Sequence, residues 1–285
     1  MKFLILGCNG MAGHMITLYL KEQGYEVDGF ARSESRLVKT IKGDARDTDL
    51  LERTIKEGDY GAVVNCIGIL NKFAESDHEA AVFLNSYLPQ YLAKVTEEMH
   101  TQIIHISTDC VFSGSRGGYR ESDFPDGEMF YDRSKALGEI VNSKDITFRM
   151  SIIGPDISSD GIGLINWFLQ QKGCVKGYKN AFWTGQTTLQ LAKTIENAAI
   201  LHIHGLYNMV PEEKISKYNM LVLFNKYLRK NPIEIIPEES FKIDKSLIRS
   251  NFEIFSYKIP SYEQQIIELG EWMRSHKELY PHYEL

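Results

Sequence analysis

Short apolar runs alternate with stretches of helical period along the first half of the chain. Phe3–Leu6, Glu26–Phe30, Ala62–Cys66, Ile103–Ile106 and Thr147–Arg149 read as buried strands bounded by turn residues. Helical stretches begin near Met11, Asp47, Ala80 and Phe130. Such alternation predicts an α/β fold with a doubly wound parallel sheet. Further on, Leu189–Leu201 has helix period and Gly205–Met209 reads as a strand returning to the sheet. Gly161–Gly185, which carries Trp167, Trp183 and several glycines, reads as loop-rich. A closing helix, Ser261–His276, spaces Ile266, Leu269, Trp272 and Met273 for packing. The pattern contains no repeat and no low-complexity linker. Residues 1–155 are therefore expected to form the sheet domain, with a returning segment near 186–209. Residues 156–285 would form mainly a smaller, interleaved C-terminal lobe.

Composition narrows the class without choosing a function. The 285 residues are 43% apolar and 25% charged, ordinary values for a globular protein. A net charge of −6 gives no global basic field, so nucleic acid is not an expected partner, although a local cluster can still hold phosphates. The first strand begins at residue 2, which leaves no room for a signal peptide, and no apolar run is of membrane-spanning length. A cytoplasmic protein with no membrane partner is the expectation. Cys8, Cys66, Cys110 and Cys174 lack zinc spacing and are expected to be reduced packing thiols. His202 and His204 lack a third ligand in the sequence, so no metal is expected.

Three motifs carry candidate chemistry. Gly7–Cys8–Asn9–Gly10–Met11–Ala12–Gly13 joins the first strand to the first helix, the context of a dinucleotide fingerprint. Gly7 would allow the tight turn, Gly10 the approach of a pyrophosphate to backbone amides, and Gly13 close helix–strand packing. The phosphates would sit at the helix N-terminus, among Gly7, Asn9, Gly10, Met11 and Gly13. The spacing is G-x-x-G-x-x-G. Second, Tyr131 and Lys135 stand at i and i+4, on one helix face. There the ammonium would lower the phenol from its usual pKa of about 10 and ready it for proton transfer to a carbonyl oxygen receiving hydride. By itself that pair also suits a surface tyrosine beside a solvated lysine. Third, Ser107–Thr108–Asp109 follows the strand Ile103–Ile106, at the strand ends where parallel sheets bind ligands. A hydroxyl there would hold a carbonyl oxygen beside the tyrosine; equally, the tripeptide would suit a helix cap.

Together these residues resemble the extended short-chain dehydrogenase/reductase family, in its dTDP-4-dehydrorhamnose reductase-like branch. Gly7–Gly13, Gly43–Asp47, Val63–Gly68, Ser107–Gly114, Tyr131–Lys135 and Arg149–Pro155 carry the likeness. Ile215–Tyr218 and Asp244–Leu247 are similar to pieces of the branch's substrate lobe. The resemblance implies a Rossmann-type sheet, a nicotinamide cofactor, and a nucleotide-linked 4-keto sugar as substrate, and it leaves room for a homodimer. It places Asp44 and Ala45 beside the adenine and Cys66, Ile67 and Gly68 along the cofactor's ribose side. Asn85 matches a helix asparagine that helps hold the central strand and the proton relay.

An NAD enzyme usually has an acid about 20 residues after the glycines to bind the ribose 2′-hydroxyl. In this family it would fall at position 31, which is Ala31, followed by Arg32 and Ser33. A guanidinium and no carboxylate at that place favour NADP over NAD, with Arg36 as a second candidate phosphate partner. Asp28 lies earlier, within the strand. The resemblance then implies that hydride passes from NADPH to the C4 ketone of a nucleoside-diphosphate 4-keto-6-deoxy sugar. Tyr131 would protonate the oxygen, Lys135 would hold the nicotinamide ribose, and Thr108 would hydrogen-bond the carbonyl.

Asp109, Cys110 and Trp183 are the candidate substrate contacts; Trp183 would stack on a base or an acetamido group or, alternatively, anchor its loop. Ile69–Phe73 and Phe182–Gly185 depart from the dTDP-rhamnose pattern, which admits a UDP-linked N-acetylated sugar equally. Two rivals stand beside this reading. One is an NAD-retaining epimerase or 4,6-dehydratase, the other a non-catalytic NADP-binding regulatory subunit.

Overall fold

A computed structural model describes all residues, 1–285. The apolar runs form strands β1 (Lys2–Leu6), β2 (Glu26–Ala31), β3 (Lys39–Lys42), β4 (Ala62–Asn65), β5 (Gln102–Ile106) and β6 (Ile146–Arg149). Beyond them come β7 (Ser151–Ile153), β8 (Cys174–Trp183), β9 (Gly185–Thr187), β10 (Gly205–Asn208), β11 (Ile215–Ser216) and β12 (Glu234–Asp244). Seven of these build one sheet in the order β10-β6-β5-β4-β1-β2-β3, with every pairing parallel. The chain grows outward from β1 to β3, then crosses over to β4 and grows the other way. Between β1 and β4 the carboxyl ends open a crevice, the switch point at which such sheets bind ligands.

Alternation along β1 sends Phe3 and Ile5 to one face and Leu4 and Leu6 to the other, and each pair joins a separate apolar cluster. Helices α1 (Met11–Glu22) and α2 (Thr48–Gly58) cover opposite faces. The edge strand β3, Lys-Thr-Ile-Lys, has no apolar run to announce it, and its lysines suit an unpaired edge. Asp28 is buried in β2, where the Lys2 ammonium lies 3.0 Å from its carboxylate and the Tyr60 hydroxyl donates at 2.9 Å. Its partners are structural, away from the ligand crevice.

The helical region expected near Ala80 begins earlier and is less regular. Short helices α3 (Asn71–Ser76) and α4 (His78–Ala81) lead into a π-helical turn, Val82–Tyr87, and then α5 (Leu88–Val95). Pro89 has no N–H to offer the Asn85 carbonyl, so the α register cannot continue through this point. The turn brings the Asn85 side chain inward, where it is fully buried. Helix α6 (Phe130–Leu137) follows the loop after β5.

The expectation of a loop-rich stretch over Gly161–Gly185 is corrected. It contains α7 (Leu164–Leu169) and the ten-residue strand β8, which pairs with β12 and β11 in a three-stranded sheet. The strand escapes notice because polar residues interrupt it and its partner β12 is rich in charge and mostly exposed. Helix α8 (Thr188–Ile200) then returns the chain to β10 at the edge of the main sheet. Helices α9 (Lys217–Tyr227) and α10 (Tyr262–Ser275) complete the lobe.

After α10 the tail folds back onto the first helix. His14 of α1 donates from Nδ1 to the Gly10 carbonyl at 3.0 Å and accepts at Nε2 from the Tyr280 hydroxyl at 2.9 Å. Burial pushes this imidazole down to about 4, so it is neutral at ordinary pH. The larger apolar cluster runs from Phe3 to Tyr283 and takes residues from both lobes. No helix is long and apolar enough to cross a membrane.

Candidate active site

At the end of β1 the chain must turn sharply into α1. Gly7 does so at φ +79°, while its amide donates to the Phe30 carbonyl at 2.8 Å. A side chain at Gly13 would collide with the Gly7 carbonyl, so helix and turn touch backbone to backbone. A Cβ at Gly10 would meet only the Gly7 oxygen, at 3.4 Å. Gly10 caps α1 without a side-chain partner, and the first turn holds no acid, which leaves its amides free for an anion. Met11 begins that turn, and its sulfur lies near Gly163.

The rest of the crevice gathers most of the expected cofactor residues. The Asn9 amide donates to the Ser33 carbonyl at 2.9 Å and to its hydroxyl at 3.2 Å, tying the glycine turn to the end of β2. Arg32 and Arg36 are exposed beside it. Cys66 and Ile67 lie across from the turn, within 3.4 Å of where a Gly7 Cβ would stand. Gly68 sits between Asn85 Oδ1 and Lys135 Nζ, at 3.1 and 4.0 Å from its own would-be Cβ. Asp44 and Ala45 lie beyond the end of β3. Asp44 is exposed and accepts from the Arg46 amide at 2.9 Å, a local turn contact, and Ala45 is buried in the core behind it. A nucleotide phosphate fits the open, acid-free helix end, and the Arg32 side of the crevice fits a further phosphate.

Tyr131 and Lys135 stand one turn apart on α6, and both are buried. The Lys135 ammonium donates to the Ile106 carbonyl at 2.8 Å. Of the two uses expected of Thr108, the cap is present. The threonine hydroxyl accepts from the Cys110 amide at 3.1 Å, capping a 3-10 turn over Asp109–Val111, and donates to Asp109 Oδ1 at 3.2 Å, close beside Tyr131. The expectation of a lowered tyrosine pKa is corrected. Burial pushes the Tyr131 phenol up, neighbouring Cys110 adds to this, and the polar Thr108 side chain beside it only partly opposes it. The lysine cannot reverse this, because its ammonium is turned to the strand end. Burial also lowers Lys135 to about 8, against the pull of Glu139.

Several supporting residues surround the pair; Asn85 and Ser107 already stood in the sequence motifs, whereas the others did not. The Tyr131 amide donates to Glu75 at 3.0 Å, a carboxylate supplied by α3. Asn85 donates to the Ser134 hydroxyl at 3.1 Å and accepts from the Ile69 amide at 2.9 Å, and the Ser134 hydroxyl donates to the Tyr131 carbonyl. Ser107, next to Thr108, donates to Glu139 at 2.8 Å. Only the i+4 spacing of Lys135 and Glu139 hints at the last.

Beside Tyr131 a cavity of about 450 Å³ opens toward the small sheet, lined in part by Asp109, Cys110, Ser151, Trp183, Lys217 and Lys245. Asp109 accepts from the Ser151 hydroxyl at 2.6 Å. Burial raises the Cys110 thiol to about 12, so it stays protonated. Trp183 is both anchor and wall: it leans on Tyr262, with ring centres 5.6 Å apart, and the Lys217 ammonium lies 5.7 Å from its ring. Burial lowers Lys217, while Asp109 and Cys110 pull the other way. Lys217 and Lys245 come from the lobe and were not singled out from the sequence as site residues.

The family model described as the RmlD substrate binding domain matches residues 1–153. The "Probable low-salt glycan biosynthesis reductase Agl14" of Haloferax volcanii is 32% identical over 177 residues, 59% of this chain and 59% of that one. A dTDP-4-dehydrorhamnose reductase of Mycobacterium tuberculosis is 31% identical over 144 residues, 48% of this chain and 44% of the relative. The chain thus spans about half the length of the curated relatives it matches. Its structure is similar to that of dTDP-4-dehydrorhamnose reductase from Bacillus anthracis in complex with NADP, with a TM-score of 0.79 at 16% identity over 94% of this chain and 98% of the other. A dTDP-glucose 4,6-dehydratase from the same organism, in complex with NAD, gives 0.75 at 17% identity over 98% of each chain. Identities this low establish a shared fold, common to reductase and dehydratase. The family match reaches from the glycine turn through the Tyr131 helix to β7 and takes in more than half of the sequence; the chain belongs to the RmlD substrate binding domain family.

Proposed function

We propose that this chain is an NADPH-dependent reductase of the C4 ketone in a nucleoside-diphosphate 4-keto-6-deoxy sugar, serving the synthesis of cell-surface polysaccharide precursors. The observation that carries the reading is the convergence of Thr108, Tyr131 and Lys135 between the nucleotide crevice and the lysine-bearing cavity. The helix end at Gly10 and the glycine turn would hold the pyrophosphate, Arg32 and Ser33 the 2′-phosphate, and Lys135 the nicotinamide ribose. Bound there, NADPH supplies the hydride. Thr108 turns its single hydroxyl proton from Asp109 to the ketone oxygen and aligns that oxygen with Tyr131. The Tyr131 phenol, protonated throughout the neutral range, delivers the proton to that oxygen as negative charge develops on it. Lys217 and Lys245 offer positive charge to the nucleotide's phosphates. A cytoplasmic setting, where NADPH is plentiful, belongs to the same reading. A UDP-linked N-acetylated sugar fits as well as a dTDP-linked one.

Consumption of one NADPH per sugar reduced, followed as falling nicotinamide absorbance with UDP- and dTDP-4-keto sugars, is the expected result. Purification with tightly held NAD, and conversion of a simple nucleotide hexose without added NADPH, would favour the dehydratase or epimerase alternative. Against that alternative stands the Cys110 thiol, which follows Asp109 where such dehydratases resemble Ser-Thr-Asp-Glu. Held protonated by burial, it cannot replace a carboxylate base.

Cofactor choice has its own test. A hydrogen bond to a charged group contributes about 1.5–3 kcal/mol, so Arg32→Ala should weaken NADPH binding roughly ten- to a hundredfold and leave NADH nearly unchanged. Equal losses for the two cofactors in titrations would show that Arg32 does not read the phosphate.

A further inference from the structure

We propose that Glu139 is a positioning residue, the buried counter-charge that fixes both the Lys135 ammonium and the strand end carrying Thr108. The inference rests on the reductase reading and concerns a residue that reading leaves without a part.

Glu139 follows the last turn of α6, four residues after Lys135. Its carboxylate accepts from Arg149 Nε at 2.8 Å and Nη2 at 2.5 Å, and from the Ser107 hydroxyl at 2.8 Å. Both members of the ion pair are nearly sealed from solvent, with side chains 2% exposed for Arg149 and 7% for Glu139. Arg149 belongs to β6 and rests against the Phe112 ring, with the guanidinium carbon 4.9 Å from its centre. The amide of Ser107 also donates to the Phe148 carbonyl at 2.7 Å. One carboxylate therefore joins the end of β5, the end of β6 and the end of α6, the three elements that present Thr108, Arg149 and Lys135.

Charge bookkeeping gives this junction a role beyond bracing. Lys135 is a buried ammonium with one backbone acceptor, the Ile106 carbonyl. A desolvated cation of that kind needs a nearby anion to keep its proton. Glu139, four residues on, is the carboxylate acting on it, and burial works in the opposite sense; the other titratable group facing it, His105 of β5, is kept neutral by burial and by the lysine's own charge. Arg149 and Lys135 together bring two positive charges to one negative, and Arg149 Nη1 has no partner. Removing the negative charge takes from Lys135 the one anion that opposes its burial, and Lys135, unlike Arg149, is able to shed its proton.

The decisive variant is Glu139→Gln, which keeps an oxygen for Ser107 and Arg149 and deletes the charge. The readout is NADPH affinity against pH, measured by nicotinamide fluorescence on the full chain with no sugar present. Wild type should hold NADPH while Lys135 is protonated and lose affinity as pH rises through about 8. In the variant that fall should begin at least about one pH unit lower, a roughly tenfold weaker complex near the wild-type midpoint, with affinity preserved in more acid solution. Glu139→Asp, which retains the charge, should fall off near the wild-type pH. Ser107→Ala should lower turnover without moving the midpoint.

A uniform loss of affinity at every pH, accompanied by a lowered urea midpoint, would show that Glu139 only braces the fold and would overturn the proposal. If the Gln variant does not fold, the Asp variant decides: a midpoint near wild type supports the assignment, and one displaced by a full unit sinks it. A wild-type chain that binds no NADPH would remove the reductase reading and this inference with it. Normal binding with an unshifted Gln profile would remove this inference alone.

Discussion

Tyr131→Phe should bind NADPH as the wild type does and lose about a hundredfold or more in turnover, the usual size of a general-acid contribution. The ring is buried among Ala74, Ala81, Ile69 and Cys110, so phenylalanine keeps the packing and removes only the hydroxyl. The raised phenol pKa makes the tyrosine a proton donor across the neutral range, and the loss should be seen at every pH in that interval. Thr108 would still polarise the ketone, which accounts for residual activity. Lys135→Ala should instead damage both cofactor binding and turnover. Near-normal turnover of Tyr131→Phe on a 4-keto nucleotide sugar would refute the proposed proton path.

Gly13→Ala should cost both stability and cofactor affinity. The new methyl meets the Gly7 carbonyl, and Gly7 cannot yield without giving up its positive φ and its hydrogen bond to Phe30. Overpacking against side chains costs about 1–3 kcal/mol; here the obstacle is main chain on both sides, so the upper end of that range applies. A shift of this turn displaces the amides meant for the pyrophosphate, and NADPH should bind roughly a hundredfold more weakly. Gly10→Ala provides the contrast. Its methyl would meet ordinary contact distance within the protein, so the urea midpoint should hold while NADPH is lost, because the methyl enters phosphate space. Wild-type NADPH affinity in both variants would place the pyrophosphate elsewhere.

The sheet domain was legible because its signals are local. Each buried strand is a short apolar run, and glycines or caps mark the turns, so the order from β1 to β6 followed from period alone except at β3, where lysines flank a single isoleucine. The lobe was less legible. β8 is held by β12, a partner some sixty residues away, and its own alternation is broken at Tyr178–Lys179. The π-helical turn had a visible cause, Pro89, yet a missing donor does not say which register replaces the α-helix.

At the site, Tyr131, Lys135 and Thr108 stood out because the chemistry needs them at short spacings. Glu75, Lys217 and Arg149 reach the same place from distant segments and could be found only in three dimensions. The sign of the tyrosine pKa was misjudged for a related reason. Spacing placed the ammonium on the right helix face, whereas depth of burial and the Ile106 carbonyl are tertiary facts.

The large apolar cluster that reaches from Phe3 to Tyr283 bears on how the molecule is made. As the polypeptide leaves the ribosome, β1 to β6 emerge well before α8, β10 and α10. During that interval one face of the sheet has no helices from the far lobe to cover it, and the β6 edge has no β10 beside it. At ordinary synthesis rates the delay is on the order of ten seconds, long compared with strand pairing and collapse. A half-made chain therefore leaves apolar surface uncovered, and the arrival of α8, β10 and α10, rather than of the nucleotide half alone, is the event that closes the core.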